Sequence, residues 1–253
     1  MQRRNLVVTV GVIVLVGIIG AVAVGAYVLR PPAEASGELT AIPIVEEDLP
    51  TPVVEVNAGA SEGDDTAEEP VAEEGDGDGA FEIVQSESEA RFSLGELLSG
   101  VPTTVVGVTD QVAGAIQIDL ETPANSQVGV IQINARTLVT DSDRRNRAMQ
   151  NQILDTGSYE FITFSPTAIT GMPETITMGE SYVFQITGDL TIRDITQSVT
   201  FDVAAILVSE TRLEGLASAT VARADYQLTI PDVPIVADVD EEVLIELEFV
   251  AGP

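Results

Sequence analysis

Along residues 181–192, SYVFQITGDLTI, apolar and polar positions alternate. Tyr182, Phe184, Ile186, Leu190 and Ile192 share one face, while Val183, Gln185, Thr187, Asp189 and Thr191 share the other. A period of two is the mark of a strand with one buried face. The same period runs through AIQIDLE, where Ile116, Ile118 and Leu120 oppose Gln117, Asp119 and Glu121, and through SVTFDVAAILV. It recurs in EVLIELEF, where Val243, Ile245, Leu247 and Phe249 oppose Leu244, Glu246 and Glu248. Gly and Pro clusters (SGVP, ETPAN, TGMPE, PDVP) separate these runs and read as turns. The pattern predicts an all-β domain of about eight antiparallel strands over residues 80–253, a length that suits one domain. Such strands can stack as a sandwich or close into a barrel. Closure removes exposed edges, and only one short helix is available to cover a sheet, so a barrel is favoured.

The helix is predicted in DSDRRNRAMQNQILD, residues 141–155. Ser142 or Asp143 can cap its start, Met149 and Ile153 stand four apart on one face, and Gly157 is a candidate stop. Arg144, Arg145 and Arg147 then fall in the first turn, where the helix dipole disfavours cations. Their placement has a reason other than helix stability. Two are considered: a local salt-bridge cluster with Asp141, Asp143 and Asp155, or a surface facing anionic headgroups or a polar ligand head at the barrel mouth.

Upstream the pattern changes twice. Residues 6–29 are uncharged and almost wholly apolar, long enough at ~1.5 Å per residue to cross a ~30 Å hydrocarbon core. They predict a transmembrane signal anchor. Arg3 and Arg4 precede it, so residues 1–5 are expected in the cytoplasm and the domain outside it, giving a single-pass protein of the cell membrane. The alternative is secretion after cleavage near Ala35, where Ala33-Glu34-Ala35 has the small-x-small pattern. Residues 34–79 carry fifteen acidic residues and no basic one. Residues 30–79 therefore read as an acidic, disordered Pro/Gly-rich linker. One stretch of it, AIPIVEEDLPTPVVEV (41–56), has enough Ile and Val to dock on the domain or pair as an edge strand.

Composition excludes whole classes of chemistry. The chain has no His, Cys, Trp or Lys; all 11 basic residues are arginines. Thiol, imidazole and Schiff-base catalysis are closed to it, as are Cys/His metal cages. No D-x-D-x-D-G loop occurs. Asp189 with Asp194, and Asp225 with Asp232, are separated by strand or turn with no reason to converge. No catalytic residue, metal or cofactor is predicted. The net charge is −30, and the domain alone sets 26 acidic residues against eight arginines, which excludes a nucleic-acid partner.

GDLTIRDITQSVTFDV (188–203) resembles the signature GDLTIxGVTxPVxxxV of the YceI-like proteins. SEARFSL, VVGVTDQVAGAIQIDL, the strand, helix and strand unit INARTLVTDSDRRNRAMQNQILDTGSYEFITF, and ARADYQL resemble further family segments in the same order, covering about 81–251. The chain departs from the family pattern at five places. Asn146 stands for aspartate, Ala148 for histidine, Glu160 for proline, Asp194 for glycine and Ser198 for proline. The resemblance implies a lipocalin-like antiparallel β-barrel in an exported protein, its apolar interior holding an isoprenoid chain such as a quinone or polyisoprenoid.

Candidate lining residues, chosen by strand face, are Phe92, Ile116, Ile118, Ile131, Ile133, Phe164, Phe184, Ile186, Phe201, Val203, Ile245 and Leu247. Arg144, Arg145 and Arg147 are candidates for the mouth or a headgroup. The expected partners are an isoprenoid-type lipid and, through the anchor, the membrane; homo-oligomerisation is left open. The expected function is noncatalytic binding of that lipid. The alternative is a filled-core structural or protein-interaction module on an acidic stalk, because periodicity does not distinguish a lined cavity from a filled core.

Overall fold

The computed structural model describes residues 31–44 and 79–253. The predicted span 6–29 lies outside the described residues. Among the described residues, no helix is long and apolar enough to cross a membrane.

The domain is all-β with one short helix. Its strands are β1 (Ala80–Ile83), β2 (Glu89–Leu98), β3 (Val101–Thr109), β4 (Val112–Ala113), β5 (Ala115–Gln117), β6 (Gln127–Val128), β7 (Ile131–Asn134), β8 (Phe161–Thr170), β9 (Ser181–Ile192), β10 (Ile195–Ser209), β11 (Arg212–Ala222), β12 (Val236–Ala237) and β13 (Glu242–Gly252). They form one antiparallel sheet in the order β4-β7-β8-β9-β10-β11-β13-β1-β5-β6. β13 also pairs with β2, which carries β3 and β12. The sheet curls on itself as a half-barrel, and Ile83 N donates to Gly114 O at 2.9 Å across the bend.

Two expectations change here. The chain makes more and shorter strands than about eight, and the sheet is a curled half-barrel in place of a uniformly closed barrel. One cause lies in residues 101–117, which break at Asp110-Gln111 and at Gly114. The three pieces of this run turn to different partners: β3 to β2, β4 to β7 and β5 to β1.

The helix α1 (Asp143–Ala148) forms where its cap predicts, with Ser142 Oγ accepting from Arg145 N at 3.4 Å. It continues as a π turn over Met149–Ile153, which buries Met149, Gln150 and Asn151. The stop is not Gly157. Asp155 takes the left-handed conformation (φ 44°), and its carbonyl accepts from Ser158 N and Tyr159 N. Asp is among the few side chains that tolerate this region.

Residues 31–44, expected as the start of a free linker, lie on the domain without regular secondary structure. Arg136 Nη1 donates to Glu34 O at 2.9 Å, Ser36 N to Glu160 Oε1 at 2.6 Å, and Gln85 Nε2 to Leu39 O at 2.6 Å. Ile42 and Ile44 approach Gly129. The predicted docking of 41–56 is thus seen for 41–44, as packing and not as a strand; the rest of that stretch lies outside the described residues.

Candidate functional site

The inner face of the curled sheet encloses an apolar cavity of about 210 Å³. All twelve residues chosen by strand face border it: Phe92 from β2, Ile116 and Ile118 from β5 and its end, Ile131 and Ile133 from β7, Phe164 from β8, Phe184 and Ile186 from β9, Phe201 and Val203 from β10, and Ile245 and Leu247 from β13. Strand alternation brings them together. Val203 pairs with Phe184 and Ala217, and Ala217 with Leu247, so a continuous inward row crosses four strands. Phe164 and Phe201 meet edge to face at 4.9 Å and 67°, a favoured aromatic geometry.

Other lining residues escaped the sequence reading for specific reasons. Ile169 faces inward although its parity in β8 opposes that of Phe164. A register shift between Pro166 and Ala168 absorbs one residue and turns the strand over, as a bulge does. Met172, Pro173 and Ile176 belong to the loop between β8 and β9, and Ser126 precedes β6; no period points to such positions. Tyr182, Leu190, Ile192 and Phe249 were on the inward faces already read from alternation.

The wall carries little polarity. Among the described residues, Arg91 and Glu246 are the charged groups bordering the cavity, and they bond each other at 3.0 Å. Glu89 and Glu248 add further charge around Arg91 at 3.6 Å. Asp189, Asp194, Asp225 and Asp232 are all exposed. No group of three or more potential metal ligands occurs among the described residues.

Arg144, Arg145 and Arg147 do not border the cavity. Arg145 is taken up in ion pairs, with Glu96 at 3.0 Å and with Asp141. The Glu96 side chain is 7% exposed and that of Arg145 24%. Arg144 and Arg147 are exposed, and among the described residues neither makes an ion pair of the kind Arg145 makes. Among these residues the local salt-bridge reading describes Arg145, paired with Asp141. Arg145→Ala leaves Glu96 buried without its cation and is expected to cost about 2 kcal/mol, the partial exposure of Arg145 reducing the fully buried figure. Urea unfolding of the variant beside Arg147→Ala, expected within ~0.5 kcal/mol of the parent, checks it.

A second polar node stands at the start of β8. Asn134, fully buried, donates to Gln111 Oε1 at 2.9 Å and to Glu160 Oε1 at 3.2 Å. Arg136 Nη1 donates to Glu160 Oε2 at 2.7 Å. Burial pushes the Glu160 carboxyl up, but the Ser36 bond, the Arg136 charge and the Asn134 amide outweigh it and hold it below its ordinary value of 4.5. A depressed folded value means that this carboxylate's stabilisation is complete above pH 4.5 and is lost as pH falls through the folded value. Urea stability measured from neutral pH down through the carboxylate range is expected to show this loss, and Glu160→Gln to lack that component.

Arg223, in the ARADYQL segment, holds the far turns together. It donates to the carbonyls of Asp240, Leu228 and Val239 and to Glu241 Oε2. Its part is structural. In the β9–β10 turn the left-handed backbone falls on Arg193 (φ 61°) and not on Asp194, so an aspartate in place of the family's glycine imposes no left-handed strain at 194.

An antiparallel sheet curled round an apolar cavity defines the lipocalin-like class of folds. The sequence matches the YceI-like domain over residues 81–251, and the chain belongs to that family. No curated protein matches it significantly. Among solved structures it is similar to BcnA of Burkholderia cenocepacia, at 20% identity and TM-score 0.52, over 66% of this chain and 98% of that one. It is also similar to a polyisoprenoid binding domain from Saccharophagus degradans, implicated in plant cell wall breakdown. There the identity is 16% and the TM-score 0.54, over 68% of this chain and 97% of that one.

Proposed function

We propose that the protein is a noncatalytic, membrane-tethered binding protein that holds an isoprenoid-type lipid, a polyisoprenoid or a quinone, outside the cytoplasm. The apolar cavity carries this reading. The twelve aliphatic or aromatic side chains chosen by strand face would fill a solid core equally well, but a filled core leaves no 210 Å³ volume, and interiors normally pack with few voids larger than a water. The family and the polyisoprenoid binding domain of similar fold support the ligand class. The tether is residues 6–29, with Arg3 and Arg4 on the cytoplasmic side. A poorly water-soluble ligand resides in the bilayer, and anchoring raises the domain's effective concentration there.

Size limits what the cavity takes. An apolar cavity of ~150 Å³ accommodates benzene, so this one holds roughly eight carbons on the same scale. That is less than two isoprene units, and a longer chain keeps its remainder outside this volume. The small volume is also what favours the second reading, an interaction module without lipid, since ligand pockets usually run from ~300 Å³ upward. Extraction of the natively folded protein followed by mass spectrometry separates the two. Recovery of a prenyl lipid in fixed ratio to protein supports the binding reading; repeated recovery of none leaves the interaction module.

A further inference from the structure

Residues 34–44 are held by side chains of the domain at widely spaced points: Glu34 by Arg136, Ser36 by Glu160, Leu39 by Gln85. Glu160 is one of the positions where this sequence departs from its family's pattern, and here it accepts the Ser36 N–H while pairing with Arg136. The chain re-enters at Gly79, whose carbonyl accepts from Ile118 N at 2.9 Å. The domain thus holds the chain already at residues 34–44, close after residue 31, as well as from Gly79 onward.

This shortens the connection to the membrane. Four residues lie between residue 29 and the clamp at Glu34, and the five steps span no more than ~18 Å even when fully extended. A fifty-residue flexible linker would instead average ~35 to 42 Å and leave orientation free. The clamp also selects a face. Gln150 Nε2 donates to Arg136 O at 3.0 Å and to Leu138 O at 2.9 Å, which seats α1 on the same turn. Exposed Arg144 and Arg147 project from that helix. At this end Arg136, Arg144, Arg145, Arg147 and Arg193 stand against Glu34, Glu38, Glu96, Asp141, Asp143, Asp155 and Glu160, so most of the domain's acidic excess lies elsewhere. An end so much less acidic than the rest meets less repulsion from anionic headgroups than the remaining surface would.

We propose that residues 34–44 form a strap, locked by the Arg136–Glu160 pair, that holds the α1 end of the domain against the membrane with Arg144 and Arg147 facing anionic lipid headgroups. The inference rests on the membrane anchor of the preceding reading. Val183 marks the opposite end. It is 73% exposed and stands nine residues along β9 from Ile192, ~30 Å at strand rise. Ile192 adjoins the α1 end, because Arg193 lies 5.9 Å from the ring of Tyr159, the neighbour of Glu160.

The full chain lacks cysteine, so single-cysteine variants Asp143→Cys and Val183→Cys can each carry one fluorophore in vesicles of phosphatidylcholine with and without phosphatidylglycerol. Vesicle flotation comes first: a chain that does not float with the vesicles overturns the anchor reading and this inference with it. In floating protein, a headgroup-attached quencher is expected to quench the probe at 143 and not that at 183. Ser36→Pro removes the N–H given to Glu160 without touching the sheet, and together with Glu160→Gln it is expected to abolish the contrast. Arg144→Gln with Arg147→Gln is expected to reduce the contrast in phosphatidylglycerol vesicles and leave it in neutral ones. Equal quenching at the two sites, stronger quenching at 183, or a contrast indifferent to Ser36→Pro and Glu160→Gln overturns the strap while leaving the anchor standing.

Discussion

Ala217→Phe is expected to empty the cavity of lipid while leaving the protein folded. Ala217 lies on the inward face of β11 between Val203 and Leu247, and all three border the cavity. The substitution adds one phenyl ring. A ring of that size takes up a cavity of ~150 Å³, most of the 210 Å³ present. Lipid recovered per mole of protein should fall about tenfold or more, since the ring replaces the best-buried segment of the ligand. The sign of the stability change is the sharper test. Burying a phenyl group in empty space stabilises by about 1.5 to 3 kcal/mol, whereas forcing it into a packed core costs about 1 to 3 kcal/mol. An unchanged or raised Tm fits a hollow interior; a clear drop with unchanged lipid content would count against the cavity as the binding site.

Gly188→Val should be among the most damaging single changes in the domain. Gly188 is the first residue of the GDLTI segment and pairs with Pro166 and Val199. Its vacant side-chain position is covered by Phe164: an added Cβ would stand 2.7 and 2.8 Å from ring carbons of Phe164 and 2.5 Å from Ser165 O. Val is favoured over Gly in strands by local propensity, so with free space the change would stabilise. Here the ring must move, and the Phe164–Phe201 contact with it. A loss of about 3 kcal/mol is expected, lowering Tm by roughly 10 °C in a domain of this size. Thermal unfolding of the variant decides between the two signs.

Much of the cavity was legible because a strand's alternation is a direct statement about its two faces. Phe184 and Ile186 in β9, Phe201 and Val203 in β10, and Ile245 and Leu247 in β13 each keep one parity, and each faces inward. The reading stops where the period stops. Ile169 follows a register shift that no local residue pattern announced, and Met172 and Ile176 face inward from a loop. The helix start was legible in Ser142; its π continuation and the turn at Asp155 were not, since they go with burial of Gln150 and Asn151 and with the bonds of Gln150 to the turn at Arg136. The docking of residues 31–40, ahead of the Ile- and Val-bearing 41–44, was hidden for a different reason. It is made largely by backbone groups, Glu34 O, Ser36 N and Leu39 O, meeting side chains far away in the chain. Such bonds leave almost no imprint on the composition of the segment that is bound.

The pairing of Arg91 with Glu246 leaves the cavity wall without a free charge, and this fixes the thermodynamic character of any ligand it takes. Transfer of hydrocarbon into such a wall should carry a negative heat-capacity change and respond little to ionic strength. Electrostatic contact at an exposed surface behaves in the opposite way, fading once the screening length drops below ~10 Å. Titration calorimetry at several temperatures and salt concentrations would therefore separate the proposed cavity contact, which weakens on cooling, from the proposed headgroup contact, which salt screens.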